Sequence, residues 1–536
     1  MGIDFLRIAD FLQDELQWFF RVVRQTADTA ARTGRRRTVA GRGQQGGCLL
    51  LCSWRGTMER HLRTSALGLS AGGIAMLANQ TQLQRPPSTL RRVLSVWDLI
   101  GLGIGGIIGG GIFVITGMAA AQYAGPGIVL SFVLAGLAAG LIALIYAELT
   151  VHMPFAGPTY VQVTQILGAF PGWMVGWTML LLSFVGGGIL AGGWSAYLNV
   201  WLRGFGVELP AWARAPLGTT QEALINLPAV AIVWLLTCVA AVGIRWSALV
   251  NHLLVFLKLS VLLLFVGVGA AGSLSPAHWT PFLPFGWHGV LTGAGFVFYA
   301  YAGFEVIAGA VEETQNPGRD VPLGIIGAFS LCTLLYLAVS GVLTGLVPAT
   351  RLGVPAPLIG ALEENGYRWA GAVIGFGALC ALSSVLLVSI IVQARMLFAM
   401  GRDALLPAAF ATIHARWGTP FVATLFVGLL KSVAAAFFPV RPLAELATLG
   451  LLLGYGLMCC GLLVLRTRQP LLEVKVRGTG TLLTPLLGIG LCLLLSLGLS
   501  TQAWVWLGLW VGSGGILYWL TVRQKISCRP SSQAQE

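Results

Sequence analysis

The chain has 536 residues, of which 56% are hydrophobic and only 10% are charged, and its mean hydropathy is +0.81. This balance leaves too little polar surface to cover a soluble globular protein of this size, so the composition indicates an integral membrane protein. The net charge of +13 therefore has to be explained within a membrane topology.

The first 90 residues differ in character from the rest of the chain. They are basic, with three consecutive arginines at 35–37, and they lack a run long enough to span a bilayer. We expect residues 1–90 to form a mostly disordered cytoplasmic leader. Apolar residues at helical spacing between Phe5 and Val23 leave open a helix on the membrane surface. The sequence also leaves open whether translation starts later, at Met58 or Met76.

Apolar runs of roughly 20 residues recur from about Trp97 to Leu520, the length that a membrane-spanning helix needs. We predict an all-α membrane protein with twelve spans, of which ten lie in a core over residues 91–465 and the last two in 466–522, before a cytoplasmic tail at 523–536. The span centres lie near residues 108, 136, 183, 234, 258, 301, 335, 382, 429, 454, 490 and 512.

The basic residues are distributed unevenly across this predicted topology. With a cytoplasmic amino terminus, 26 of the 33 lysines and arginines fall in inside segments and five in outside loops. This asymmetry predicts a multi-pass protein of the cell (inner) membrane with both termini in the cytoplasm. It also accounts for the net charge without nucleic acid as a partner.

The nine cysteines predict neither a disulfide framework nor a metal site. Most of them lie in apolar spans, where thiols behave as small hydrophobic groups. Cys48 and Cys52 in the leader lack a pair of histidines at ligand spacing. We expect no metal and no cofactor.

The first span contains GLGIGGIIGGGIF (101–113), with seven glycines in thirteen residues. Since glycine costs about 1 kcal/mol relative to alanine inside a helix, an uninterrupted helix is not expected here. The sixth span, five spans further on, contains GAGFVFYAYAGFE (293–305). Interrupted segments at equivalent positions of two five-helix halves are typical of inverted-repeat transporters, with the substrate site between the breaks.

The two predicted breaks have complementary chemistry. Amide groups of Gly109, Gly110 and Gly111 can bind an anion such as a carboxylate at the start of a half-helix. Carbonyl groups of an unwound stretch at 299–302 can accept hydrogen bonds from an ammonium. Together these groups describe a site for an α-amino acid. The alternative is that glycines at four-residue spacing, such as Gly101, Gly105 and Gly109, serve only helix packing.

Several motifs resemble one known superfamily. LRRVLSVWD (90–98) precedes the first break, FYAYAGFE (298–305) is followed by EETQNPGRDVP (312–322), and QARMLFAMGRDALLP (393–407) precedes GTP (418–420). This set is similar to the amino acid/polyamine/organocation (APC) superfamily, and within it to bacterial relatives of the cationic amino acid transporters. The resemblance covers residues 90–465 and implies a 5+5 inverted repeat with discontinuous helices 1 and 6.

The resemblance also implies roles for individual residues. Gly110 and Gly111 correspond to the positions that bind the substrate carboxylate, and a carbonyl near Ile107 faces the amine. Carbonyls of Tyr299, Ala300 and Ala302 correspond to those that bind the substrate amine. Relatives often carry Ser, Thr or Ala where this chain has Gly110, so one hydroxyl contact is missing.

Acidic residues inside the spans are costly and are functional candidates. Glu305 lies in the middle of the sixth span, where it can attract the substrate amine or hold the broken helix in shape. Glu148, Glu312 and Glu313 lie nearer the cytoplasmic ends and are expected at a gate or a solvated helix end. In the third span, relatives often have an acidic residue near Leu182 or Ser183. Its absence argues against specificity for arginine or lysine.

Two lysines fall within predicted spans. Lys258 lies at the centre of the fifth span, and a buried ammonium is destabilised by desolvation, so it is a candidate proton-coupling residue. It resembles the lysine that sodium-independent members of the superfamily place in this helix; the alternative is a permanently charged strut. Lys431 lies nearer the outer end of its span, where it could snorkel to the membrane surface, and is the weaker candidate for coupling.

These observations predict a secondary active transporter, most simply one that takes up a neutral α-amino acid with a proton by alternating access. The alternatives are an amino acid exchanger or substrate-gated sensor, and a cationic amino acid permease without proton coupling. An enzyme is not expected, because the six histidines are scattered and no catalytic constellation falls in the spans. The expected partners are the amino acid, protons and the lipid bilayer, and the expected state is a monomer or weak oligomer.

Overall fold

The computed structural model describes residues 92–152, 159–219, 221–243, 248–272, 274–354, 356–403, 405–468 and 481–522. The expectations for the leader at 1–90, for the starts at Met58 and Met76 and for the tail at 523–536 lie outside these residues. Everything below refers to the described ranges.

The described chain is helical, and the described residues contain no β-strand beyond two isolated bridges, Leu94 with Thr314 and Arg214 with Asn226. We number the α-helices in chain order. They are α1 (Val96–Ile107), α2 (Thr116–Ala119), α3 (Ile128–His152), α4 (Thr159–Leu167), α5 (Ala169–Arg203), α6 (Leu227–Val242), α7 (Ala248–Gly272), α8 (Gly286–Val297), α9 (Glu305–Gly309), α10 (Pro317–Leu346), α11 (Pro357–Glu364), α12 (Arg368–Arg402), α13 (Phe421–Phe437), α14 (Val440–Arg468), α15 (Leu483–Leu497) and α16 (Thr501–Leu517).

The helices have the length and composition of membrane spans. Among the described residues, eight helical stretches are long and apolar enough to cross a bilayer, and three shorter apolar helices (α6, α13 and α15) accompany them. Large apolar side chains such as Leu137, Phe256 and Leu497 are exposed on the outside of the bundle. In water such a surface would be unfavourable, whereas lipid solvates it. The chain is therefore a multi-pass helical membrane protein.

The helix α5 lies at the centre of one group of helices, where it packs against α12, α13 and α14. In a second group, α10 packs against α1 and α3. Glycines allow close approach within these groups: a side chain at Gly188 of α5 would overlap Leu443 of α14. The two groups meet at the glycine-rich segment that follows α1.

Candidate functional site

The first span is interrupted in the middle of its glycine-rich segment. The helix α1 ends at Ile107, and Ile108 has an extended backbone with φ −74° and ψ 102°. The chain resumes at Gly111 as a π-helical turn. Among the described residues, the first amide after the break that donates a backbone hydrogen bond is that of Phe113, to the Gly109 oxygen at 3.4 Å. Within the described residues, the backbone hydrogen-bond ladder is therefore interrupted across residues 109–112.

The sixth span is interrupted at the corresponding place. The helix α8 ends at Val297, a 3-10 turn covers Phe298–Tyr301, and Ala302 is extended with ψ 147°. Gly303 follows with φ 115°, a backbone conformation that favours glycine because it has no Cβ. The helix resumes as α9 at Glu305. Both breaks fall where the glycine pattern predicts them.

The two breaks contact each other through their backbones. A Cβ placed on Gly106 would lie 2.7 Å from the Gly303 oxygen, and one placed on Gly111 would overlap Cα and Cβ of Ala300. Glycine at 106 and 111 therefore does more than break the helix, since it lets one interrupted segment lie directly on the other. The glycines therefore serve both purposes that the sequence left open, since they interrupt the helix and allow close packing.

A tyrosine hydroxyl links the two breaks. Tyr336 of α10 is fully buried, and its hydroxyl lies 3.0 Å from the carbonyl oxygen of Ile107 and 3.0 Å from that of Ala300. One hydroxyl proton serves only one of the two carbonyls at a time. Sequence reasoning missed this residue, although a tyrosine in an apolar span is a signal because its hydroxyl needs a buried partner.

The carbonyl groups at the end of α1 are satisfied by different elements. The Ile104 oxygen accepts from the Ile108 amide, and the Gly105 oxygen accepts from Lys258 Nζ of α7 at 2.9 Å. Lys258 is only 2% exposed. An ammonium at the carboxyl end of a helix is favourable because the last carbonyls and the helix dipole are negative there. The predicted coupling residue therefore contacts the first break directly.

Glu305 holds the break of the sixth span. Its Oε2 accepts hydrogen bonds from the Gly303 amide at 2.9 Å and from the Tyr455 hydroxyl of α14 at 3.1 Å. A carboxylate at this position lies at the positive amino-terminal end of α9 and fixes the turn before the helix. The sequence left two roles open for Glu305, which are to attract the substrate amine and to hold the broken helix in shape. These contacts correspond to the second role.

Apolar side chains border the first break on the side of α5 and α12. A Cβ on Gly109 would lie 3.2 Å from Val385, and one on Gly110 would lie 3.2 Å from Ile189 and 3.3 Å from Leu190. These contacts are with side chains rather than backbone, so the space beside Gly109 and Gly110 is less restricted than that beside Gly111.

The expectation that Lys431 snorkels to the membrane surface is wrong. Its side chain is fully buried between helices, and Nζ donates to Ser389 Oγ of α12 at 3.1 Å. A side chain at Gly187 of α5 would overlap the Lys431 stem. The short helix α13 packs against both α5 and α12, which removes the path to the surface that a lipid-facing lysine would have.

A polar cluster lies around the helical turn that follows α2. The Tyr123 hydroxyl donates to Glu445 Oε1 at 2.8 Å, and Ser500 Oγ also contacts the Glu445 carboxylate. The guanidinium of Arg441 lies over the Tyr123 ring, 5.6 Å from its centroid. This cluster connects the turn after α2 to α14 and to the residue before α16.

A second polar cluster lies at the carboxyl end of α3. Glu148 is fully buried, and its Oε1 lies 2.6 Å from Arg466 Nη2 of α14 and 2.8 Å from His152 Nε2. The expectation of a solvated helix end is wrong for Glu148, whereas a position at a gate between α3 and α14 fits these contacts. For Glu312, side-chain contacts lie outside what the structure describes.

The structure indicates no metal chemistry in the part of the chain that it describes. Those residues contain no group of three His, Cys, Asp or Glu side chains placed to hold an ion. The six cysteines described are free thiols. The site described above consists of backbone groups, tyrosines, one glutamate and one lysine.

Comparison with known proteins gives extended matches. A family profile described as "Amino acid permease" matches residues 94–520. The methylthioribose transporter of Bacillus subtilis (strain 168) is 37% identical over 441 residues, which is 82% of this chain and 95% of the relative. The branched-chain amino acid permease BcaP of the same organism is 38% identical over 439 residues, 81% of this chain and 94% of the relative. Cationic amino acid transporter 4 of Homo sapiens is 36% identical over 390 residues, 71% of this chain and 61% of the relative.

All three relatives are named as transporters or permeases, which confirms that the chain is not an enzyme. The matches also confirm the resemblance that the motifs at 90–98, 298–322 and 393–420 indicate. The chain therefore belongs to the amino acid permease family of the APC superfamily.

Proposed function

We propose that this protein is a secondary active transporter that imports a neutral α-amino acid together with a proton by alternating access across the cell membrane. The observation that carries the proposal is the convergence of two helix breaks on one hydroxyl, that of Tyr336. Breaks that meet inside a bilayer are tolerated where they are buried in protein or line a site.

The proposed substrate bridges the two breaks. Its carboxylate binds the amide groups of Gly109, Gly110 and Gly111, where the half-helix dipole favours an anion. Its ammonium binds carbonyl oxygens of Ile107 and of the turn at 299–302. Each carbonyl oxygen has two lone pairs, so Ile107 and Ala300 can accept from the ammonium while Tyr336 remains in contact.

The proposed scaffold is the twelve-span, 5+5 inverted repeat that the sequence predicts. The described stretch Val96–His152 has 57 residues and is divided by the break after α1 and by the turn Gly125–Gly127, which leaves α3 alone about 38 Å long at 1.5 Å per residue. A bilayer core is about 30 Å thick, so this stretch supplies at least two crossings. Because one long stretch crosses more than once and three shorter apolar helices accompany the eight long stretches, the number of membrane spans is proposed to exceed eight.

Proton coupling is proposed to act through Lys258. Its Nζ contacts the Gly105 oxygen at the end of α1, two residues before the Ile107 carbonyl that the substrate uses. The protonated amine stabilises the negative end of this half-helix. Loss of the proton removes that stabilisation, so the position of the first break is linked to protonation of one buried side chain.

A neutral substrate is supported by the apolar side chains of Val385, Ile189 and Leu190 beside the break. The relative named as a branched-chain amino acid permease points in the same direction. A relative named as a methylthioribose transporter favours a second candidate, a neutral solute without an amino acid head group. An amino acid needs the amide and carbonyl groups of the breaks to bind its carboxylate and ammonium, whereas a solute without that head group does not.

The test uses the full chain reconstituted in liposomes. Purified protein is first screened for thermal stabilisation by the twenty amino acids and by methylthioribose, since a ligand of the folded state raises Tm by mass action. Uptake of the best radiolabelled ligand is then measured with and without an inward proton gradient, with protein-free liposomes as control. We expect a neutral amino acid and faster uptake with the gradient.

The outcomes separate the alternatives. Counterflow without any response to the gradient would indicate an exchanger, and stabilisation by methylthioribose alone would indicate the second candidate. Absence of binding and uptake for every amino acid would refute the proposed function.

A further inference from the structure

A second buried lysine has no role in the proposed substrate binding or proton coupling. Lys431 of α13 is fully buried, and within the part of the chain that the structure describes, Ser389 Oγ is the acceptor that its Nζ reaches. An ammonium has three N–H donors, and Ser389 accepts from only one of them. The Ser389 hydroxyl itself donates to the Leu386 oxygen at 2.8 Å, so its proton is already used.

The neighbouring helix is shaped to receive this lysine. Gly187 of α5 faces the Lys431 stem, where any side chain would overlap its Cβ and Cγ. The adjacent Gly186 faces the break of the sixth span, because a Cβ there would lie 3.1 Å from the Tyr299 hydroxyl. Two consecutive glycines of α5 therefore bring Lys431 and Tyr299 to the same turn of one helix.

The lysine also lies close to the first break. Its partner Ser389 follows Val385 by one turn of α12, a rise of about 5–6 Å. The Val385 side chain borders Gly109. The Lys431 ammonium is therefore on the order of 10 Å from the proposed carboxylate site, on the side where α5 and α12 border it.

No carboxylate on α5, α12 or α13 is available to pair with the Lys431 amine, because the sequences of these helices contain no aspartate or glutamate. An ionisable side chain that is buried inside a bilayer without such a partner is costly and is a candidate functional residue. Glu305, the acidic residue at the breaks, is engaged by Gly303 and Tyr455.

We propose that Lys431 is a specificity-determining residue that rejects cationic side chains. Resting on the proposed function, this inference assigns to the site α-amino acids with neutral side chains and excludes arginine and lysine. In its protonated form, Lys431 raises the free energy of a guanidinium or ammonium bound beside α5 and α12. Two unit charges about 10 Å apart at an effective dielectric constant of about 20 give a discrimination of roughly tenfold or more.

The experiment compares arginine with citrulline, which has nearly the same shape but no charge. Dissociation constants of both are measured by thermal shift of the full chain in detergent. Lys431→Met removes the charge, and Ser389→Asp keeps the lysine but places a carboxylate beside it. Leu429→Met, on the exposed face of the same helix, is the matched control. We expect the wild type and control to bind citrulline at least tenfold more tightly than arginine.

Both charge variants are expected to lower the citrulline preference by about tenfold, chiefly through tighter arginine binding. Equal affinities for the two ligands in the wild type would overturn the inference without any variant. An unchanged ratio of the arginine and citrulline dissociation constants in either folded variant would also overturn the inference. In that case neutral amino acids would still bind, so the proposed function would stand. Failure of every amino acid to bind the wild type would refute the proposed function itself.

Discussion

Replacing Gly111 by alanine tests the contact between the two breaks. The new methyl group would overlap Cα and Cβ of Ala300 in the sixth span. Carbon atoms in contact are comfortable at about 3.5–4.0 Å, so the two segments must separate by roughly 1 Å or more. Since the neighbour includes backbone, no side-chain rotation can relieve the overlap.

The expected cost follows from this geometry. Inserting a methyl group into a packed site costs about 1–3 kcal/mol. A cost of about 2 kcal/mol lowers the population of the aligned breaks about 30-fold. If the aligned breaks form the substrate site, the initial uptake rate of the Gly111→Ala variant falls by a similar factor, and its Tm falls as well.

Gly110→Ala is the matched control one residue earlier. Its methyl group would lie 3.2 Å from the Ile189 side chain and 3.3 Å from that of Leu190, both of which can move by a few tenths of an ångström. The greater helix propensity of alanine, about 1 kcal/mol, offsets much of that cost. Uptake by proteoliposomes and Tm are measured for both variants. Equal losses of uptake and of Tm in Gly111→Ala and Gly110→Ala would refute the explanation that overlap with Ala300 separates the two breaks.

Three further predictions concern the residues that hold the breaks and the cluster at the carboxyl end of α3. Tyr336→Phe removes the hydroxyl that contacts both breaks, and ligand affinity by thermal shift should fall about 5–10-fold, as for a lost buried hydrogen bond. Lys258→Met should abolish stimulation of uptake by a proton gradient while exchange at equal pH persists. Arg466→Met removes the buried partner of Glu148 and should lower the free energy of unfolding by about 3–5 kcal/mol. Arg203→Met, in an exposed pair, should change it by less than about 1 kcal/mol.

Each of these predictions has a control and a contradicting result. Tyr518→Phe, directly after α16, should leave affinity unchanged, and an equal loss there would remove the special role of Tyr336. Gradient-stimulated uptake that survives in Lys258→Met would assign coupling to another residue. Denaturant unfolding that ranks Arg203→Met with Arg466→Met would contradict the structural difference between the buried and exposed pairs.

The sequence by itself determined the class of the protein and the positions of its helix breaks. Hydropathy depends on composition alone, so apolar runs identify a membrane protein without knowledge of the fold. Clustered glycines destabilise a helix locally, which is why the breaks at Ile108 and Gly303 could be located in advance. The motifs at 298–322 and 393–420 sufficed to predict the family.

Only the tertiary structure decided which groups meet at the breaks. Tyr336 contacts Ile107 across 229 positions of sequence, and although a tyrosine in an apolar span signals a buried partner, nothing near it in sequence identifies that partner. Lys431 has the same composition around it whether it snorkels or is buried, and its contact with Ser389 depends on how α13 packs against α12. Periodicity reports how apolar a helix face is, whereas the partner of that face is fixed by packing between distant segments. The partners of the charged residues at the site therefore became identifiable only in three dimensions.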